Sequence, residues 1–249
     1  MVKHSSPKGR FEVRILVGPP FRASHDWRLG DTFLVLYRVN RIAKTLKNRY
    51  TGCMKDVITN QEILKRIEDR HRIIITTFNE CPEIIFVETQ NSILRKKTED
   101  VSVEVGIKTG NKLKDILGKY RKIAGYGRGL AAPQIGISQS VFVTYVDDSF
   151  KIYINPKIME FSADFNYYRE ICLSCAYTVA DVKRSKSITI KYANENGKII
   201  SEKADGFLAR LLQHEYDHLQ GILNIDAAEK GGLSDSLYID PLKEQLRDC

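Results

Sequence analysis

His214-Glu215-Tyr216-Asp217-His218 sets two imidazoles four residues apart with a carboxylate directly after the first. On an α-helix, positions i and i+4 share a face, so both rings can be aimed at one metal ion. Glu215 then sits beside an open coordination position, where it can accept a proton from an activated water. The bland alternative is a pair of histidines in a polar patch of a core helix. The flanking Leu211, Leu212, Leu219, Ile222 and Leu223 argue against it, because they bury the helix and two buried imidazoles without ligands are costly to satisfy.

Two imidazoles fall short of the three protein ligands that a catalytic metal site usually keeps. Cys172, within Glu170-Ile171-Cys172-Leu173-Ser174-Cys175, offers a thiolate, a strong ligand for zinc and ferrous iron. A lone cysteine is more often a small packing residue. The spacing of Cys172 and Cys175 also fits a redox pair or a zinc ribbon, although the chain has no second such pair and no βαβ pattern beginning there. Upstream, the run from Gly125 to Gly136 reads GYGRGLAAPQIG. Its glycines and alanines let backbone approach a ligand closely, and Gln134 supplies an amide donor for a developing oxyanion. A plain turn is the alternative. A nucleotide loop is disfavoured, since no Lys-Ser/Thr follows and the run comes after a helical pattern instead of a strand.

These segments need elements to position them. Leu113, Ile116, Leu117, Tyr120 and Ile123 recur at helical spacing within 101–124, and that helix should end at the glycines of 125–129. VFVTYV, KIYINPKI and SITIKYAN read as strands, the last followed by an Asn-Gly turn that predicts a hairpin. Residues 207–223 read as one apolar helix, with Asp205 near its start and Gly221 near its end. The expected class is α+β, with antiparallel sheets packed around a C-terminal helix that carries the two histidines.

With 249 residues the chain can bury a substantial core, and no apolar run approaches the roughly 20 residues that cross a bilayer. No secretory signal is read at the start, so a reducing, cytoplasmic location is expected, and five cysteines then fit free thiols or ligands better than a disulfide framework. The net charge of +8 is concentrated in residues 1–56, which hold twelve Lys or Arg against Glu12, Asp26, Asp31 and Asp56; the remainder balances. Such a basic leader can meet an acidic partner such as ribosomal RNA, serve as an organellar transit segment, or stand as a solvated face. FEVRILV and FLVLYRV within it look like strands and IAKTLKNRY like a helix. There is no internal repeat, and the character changes near Cys81-Pro82, where the leader is taken to end. Deleting residues 1 to about 80 is therefore expected to leave a folded domain.

Taken together, GRGLAAPQ, EICLS and QHEYDHLQG resemble, in order and spacing, the three signature motifs of the peptide deformylases. The likeness extends to ILRKK, INP, ENGK and PLK. It covers residues 83–249 and leaves 1–82 as a basic extension of unknown function. The resemblance implies one divalent metal, ferrous iron first with zinc or nickel as alternatives, held by Cys172, His214 and His218. It makes Glu215 the general acid/base and gives oxyanion stabilisation to Gln134 and the Leu173 amide. Gly129 matches the glycine beside the substrate, and Gly127 and Glu170 are placed with it as substrate-binding residues. The implied substrate is the formyl-methionyl end of nascent polypeptides. Ile171, Ala176-Tyr177 and Arg128 depart from the family's usual residues, and Arg210 is expected to face its methionine pocket. Two rivals stand beside this reading: a zinc endopeptidase, for which no third His or Glu is placed, and a silent ribosome- or RNA-binding relative, against which the intact Glu215 argues. Oligomeric state is not legible.

Overall fold

The computed structural model describes residues 60–87 and 92–236; the strand-like and helical runs read in the leader, and the PLK segment, lie outside them. In chain order the elements are helix α1 (Asn60–Glu80), a 3-10 turn Ile93–Arg95, helix α2 (Val103–Ala124), strand β1 (Gly129–Ala131) and a 3-10 turn Ala132–Ile135. Strands β2 (Val141–Val146), β3 (Ser149–Phe161), β4 (Phe165–Ile171), β5 (Thr178–Ser185), β6 (Ser187–Ala193) and β7 (Ile199–Asp205) follow. Helix α3 (Gly206–Leu219) and strand β8 (Ala228–Asp235) complete the set.

Five strands form one sheet in the order β1-β2-β3-β6-β7, three form another in the order β4-β5-β8, and every named pairing is antiparallel. The expected α+β class with antiparallel sheets and a late helix is what the chain adopts. The β6–β7 hairpin closes where Gly197 N–H donates to Asn194 O and Asn194 N–H to Lys198 O, as the Asn-Gly pair predicts. Strands β4, β5 and β8 were not read from sequence. Strand β8, AEKGGLSD, has little strand propensity of its own and exists through its pairing with β5.

Helix α2 begins at Ser102, whose hydroxyl accepts from Val105 N–H, and buries Leu113, Ile116, Leu117 and Tyr120 against Val141, Val143, Ile152 and Ile154. It therefore delivers the glycine-rich run to one side of the large sheet. Helix α3 packs against β1, β2, β5, β6 and β7, which brings both sheets to its sides. It stops at Leu219, short of the expected residue 223, because Gly221 turns left-handed at φ 74° and Ile222 N–H reaches back to Asp217 O, a C-terminal cap. Leu223 is buried as expected, but Ile222 is exposed.

Helix α1 was not read from sequence. The chain's packing divides into Met1–Arg66 and Ile67–Cys249, so α1 from Ile67 onward packs with the second unit. Ile74 and Thr77 are buried, and Phe78 stacks on Phe86 with ring centroids 4.2 Å apart. Truncation should expose this difference. Removing residues 1–66 keeps Ile74, Thr77 and Phe78, whereas removing 1–80 also takes them away. One buried Ile contributes about 1.5–3 kcal/mol, which corresponds to a fall of roughly 5 °C or more. Equal melting curves for the two truncations would refute this division.

Candidate metal centre

Helix α3 carries His214, Glu215 and His218, and the turn after β4 carries Cys172. Cys172 Sγ lies 3.3 Å from His218 Nε2, and one ligand atom each from Cys172, His214 and His218 lie within 4.8 Å of one another. A tetrahedral ion with bonds of 2.0–2.3 Å needs ligand separations of roughly 3.5 Å, so this group fits a single zinc- or iron-sized cation. All three side chains are essentially buried. Burial, aided by the neighbouring Cys175, pushes the Cys172 thiol up to about 11, so without a cation it stays protonated. A bound cation would reverse that preference.

His214 is oriented by Glu170, whose Oε2 lies 2.8 Å from Nδ1. With Nδ1–H donating there, Nε2 is left for a ligand. Glu170 is itself clamped: Arg184 Nε and Nη2 donate to its two oxygens at 2.7 and 2.9 Å, and Arg210 Nη1 donates to Oε1 at 2.6 Å. Arg184 also donates to Asp217 at 2.6 Å. Burial alone would raise the Glu170 carboxyl, but the hydrogen bonds from Arg184 and His214 outweigh it and hold the group well below the usual carboxylate range. This alters the expected roles of two residues. Glu170, placed among the substrate-binding residues, has its carboxylate consumed by two guanidiniums and an imidazole, so it acts on His214. Arg210, expected to face an apolar pocket, instead donates to Glu170, Val182 O and both oxygens of Asn166. Ile171, the departure next to Cys172, is 38% exposed on its strand.

Gln134 is buried, with its Oε1 accepting from Ala131 N–H at 2.8 Å and its Nε2 turned to Ser174 Oγ at 3.2 Å and Cys172 Sγ at 3.7 Å. The amide is thus locked with its donors toward the ligand turn. Leu173 directly follows Cys172 in that turn and packs partly against the main core. Glu215 is 3% exposed, and its Oε2 has no protein partner among the described residues. Burial pushes its carboxyl up to about 7, with Glu170 adding and His214 opposing.

Gly127 and Gly129 stand on opposite sides of Arg128. Arg121 from the last turn of α2 donates to Gly127 O at 2.7 Å, and its guanidinium lies 3.7 Å from the Tyr145 ring centroid. Gly129 faces Glu215 so closely that a Cβ there would overlap Oε1. Gly129→Ala should therefore displace the carboxylate and reduce kcat by about a hundredfold, the scale of an ångström-sized misplacement, with metal content unchanged. A variant turning over at the wild-type rate would show that the contact does not matter. Sequence reasoning missed Arg184, Asp217 and Asn166. Nothing in their local spacing marks them, because β4, β5 and α3 meet only in the folded chain.

Buried Cys, His and His side chains that can hold one metal ion, with a carboxylate beside them, on an α+β frame of antiparallel sheets: this is the layout of a mononuclear metallohydrolase. A sequence model of the family described as polypeptide deformylase matches residues 84–232. The chain belongs to the polypeptide deformylase family. It is 42% identical over 123 residues to the peptide deformylase of Treponema pallidum, covering 49% of this chain and 76% of that one. It is 43% identical over 135 residues to that of Pseudothermotoga lettingae, covering 54% and 76%. The crystal structure of peptide deformylase from Thermotoga maritima superposes with a TM-score of 0.54 at 36% identity, over 59% of this chain and 97% of that one. That of the Synechococcus elongatus enzyme in complex with actinonin gives 0.52 at 32% identity, over 59% and 78%. No helix among the described residues is long and apolar enough to cross a membrane.

Proposed function

We propose that this chain hydrolyses the formyl group from the N-terminal formyl-methionine of nascent polypeptides, releasing formate and a free amine. The observation that carries the reading is the meeting of Cys172, His214 and His218 beside a buried Glu215 with an open oxygen, in a chain of this family. Cys172, His214 and His218 would hold one divalent cation, ferrous iron first with zinc or nickel as alternatives, which supplies Lewis-acid activation of a water and of the formyl oxygen. Glu215 accepts the proton of the attacking water and returns it to the amine nitrogen as the formyl C–N bond breaks. Gln134 Nε2 and the Leu173 N–H take up the charge that develops on the formyl oxygen. Gly127 and Gly129 let the substrate backbone come alongside, and Glu170 keeps the His214 ring in its ligating orientation. The basic excess in residues 1–56 supports ribosomal RNA as an acidic partner, and salt-dependent co-sedimentation with ribosomes checks that part separately.

The test is formate release from an N-formyl-Met peptide under anaerobic conditions. Chelation should abolish it and ferrous iron or nickel restore it, with no cleavage of internal peptide bonds. Undiminished hydrolysis by metal-stripped protein, or cleavage of an unformylated peptide within its chain, would sink the proposal.

A further inference from the structure

The side chains of Arg70, Ile74, Thr77 and Phe78 lie on one face of α1, spaced for a single helical stripe. Ile74 and Thr77 are buried, and Phe78 stacks on Phe86. Arg70 does something different from its apolar neighbours. Its Nη2 donates to Ala176 O at 3.3 Å, immediately after Cys175 in the segment that carries Cys172. Its guanidinium carbon lies 5.6 Å from the ring centroid of Tyr126, within the Gly125–Gly129 run that follows α2. A single side chain thus touches both walls of the site, the glycine run that faces Glu215 and the ligand turn that holds Cys172.

Stability is a poor explanation for an arginine here. Its Nε is buried without a partner among the described residues, as is the Tyr126 hydroxyl beside it. An unpaired buried donor is a net cost, and an apolar side chain of similar length would cover Tyr126 without it. Costs of this kind are tolerated where geometry matters more than stability. Arg70 also lies ahead of residues 84–232, so the family region by itself does not supply this contact.

We infer that Arg70 is a positioning residue: through it, the helix that precedes the family region braces the Gly125–Gly129 run against the Cys172–Ala176 segment and sets the spacing between them. The inference rests on the proposed function only for its kinetic consequence. If the brace is lost, both segments gain freedom, and the substrate must order them on binding. The loss then falls on KM, while the ligands and Glu215, held by their own networks, keep kcat.

The full chain is compared with its Arg70→Met and Arg70→Lys variants by hydrogen exchange, metal content, thermal melting and kinetics on an N-formyl-Met peptide. In Arg70→Met, amide exchange should rise about tenfold in both 125–129 and 172–177, with 187–205 unchanged. KM should rise about tenfold with kcat within about threefold, and metal content and melting should be retained. Lys, which keeps a donor toward Ala176 O, should recover part of the loss. Should Arg70→Met fail to fold, Arg70→Lys carries the comparison, with smaller changes in the same two segments. Unchanged exchange in these segments would overturn the inference. So would exchange rising across the whole domain together with falling melting temperature and kcat, which is what a purely structural residue would give. Absence of hydrolysis in the wild-type chain would count against the proposed function, and the exchange comparison would still decide the role of Arg70.

Discussion

Replacing Glu215 by glutamine should lower kcat by about 10²–10⁴-fold, the range expected for a lost general acid/base, and leave the metal content as it was. The substitution is nearly isosteric at a position only 3% exposed, and it does not touch Cys172, His214 or His218. The amide can donate to a water but cannot take its proton. Stability separates this loss from misfolding. Burial raises the Glu215 carboxyl from 4.5 to about 7, so the metal-free wild-type chain loses stability as pH rises through that window while a neutral amide does not. Metal-free Glu215→Gln should therefore melt no lower than wild type at a pH of about 7.5, just above that window. A variant with near wild-type turnover would remove Glu215 from the chemistry. One with low turnover, low metal and a lower melting point would show that the carboxylate is structural.

The second large effect concerns the two neighbouring thiols. Cys172→Ser should lose metal and activity together, with affinity falling at least about a hundredfold, since loss of an outer-shell partner alone costs roughly 10–100-fold. Cys175→Ala should keep both within a few-fold. Cys175 is fully buried, packed with Leu94 and Leu223, and its backbone N–H closes a turn onto Cys172 O at 3.2 Å. It stands outside the set of ligand atoms that converge within 4.8 Å. Four protein ligands would close the tetrahedral shell and exclude the water, so a working site requires one thiol to stay out. Metal analysis of the two purified variants decides it: metal lost from Cys175→Ala, or retained with full activity in Cys172→Ser, reverses the assignment.

Local rules carried far in this chain. The stripe Leu113, Ile116, Leu117 and Tyr120 announces α2, the Asn-Gly pair announces the β6–β7 turn, and four-residue spacing puts His214 and His218 on one helix face, because each depends on residues close in sequence. The stripe of Arg70, Ile74, Thr77 and Phe78 is equally local in sequence. Other features have no local signature. Glu170 reads from sequence as one more polar residue beside a ligand; only the pairing of β4 with β5 and the packing of α3 set Arg184, Arg210 and His214 around its carboxylate. The same holds for Gly129, whose lack of a side chain matters because Glu215, far along the chain, occupies that space. The sequence by itself determined α2, the β6–β7 turn, the shared helix face of His214 and His218, and the chemistry open to those side chains. Which buried charge neutralises which, and how closely the glycine run stands to the carboxylate, were decided by tertiary structure, because burial and Coulomb interaction depend on distances that only the closed fold defines.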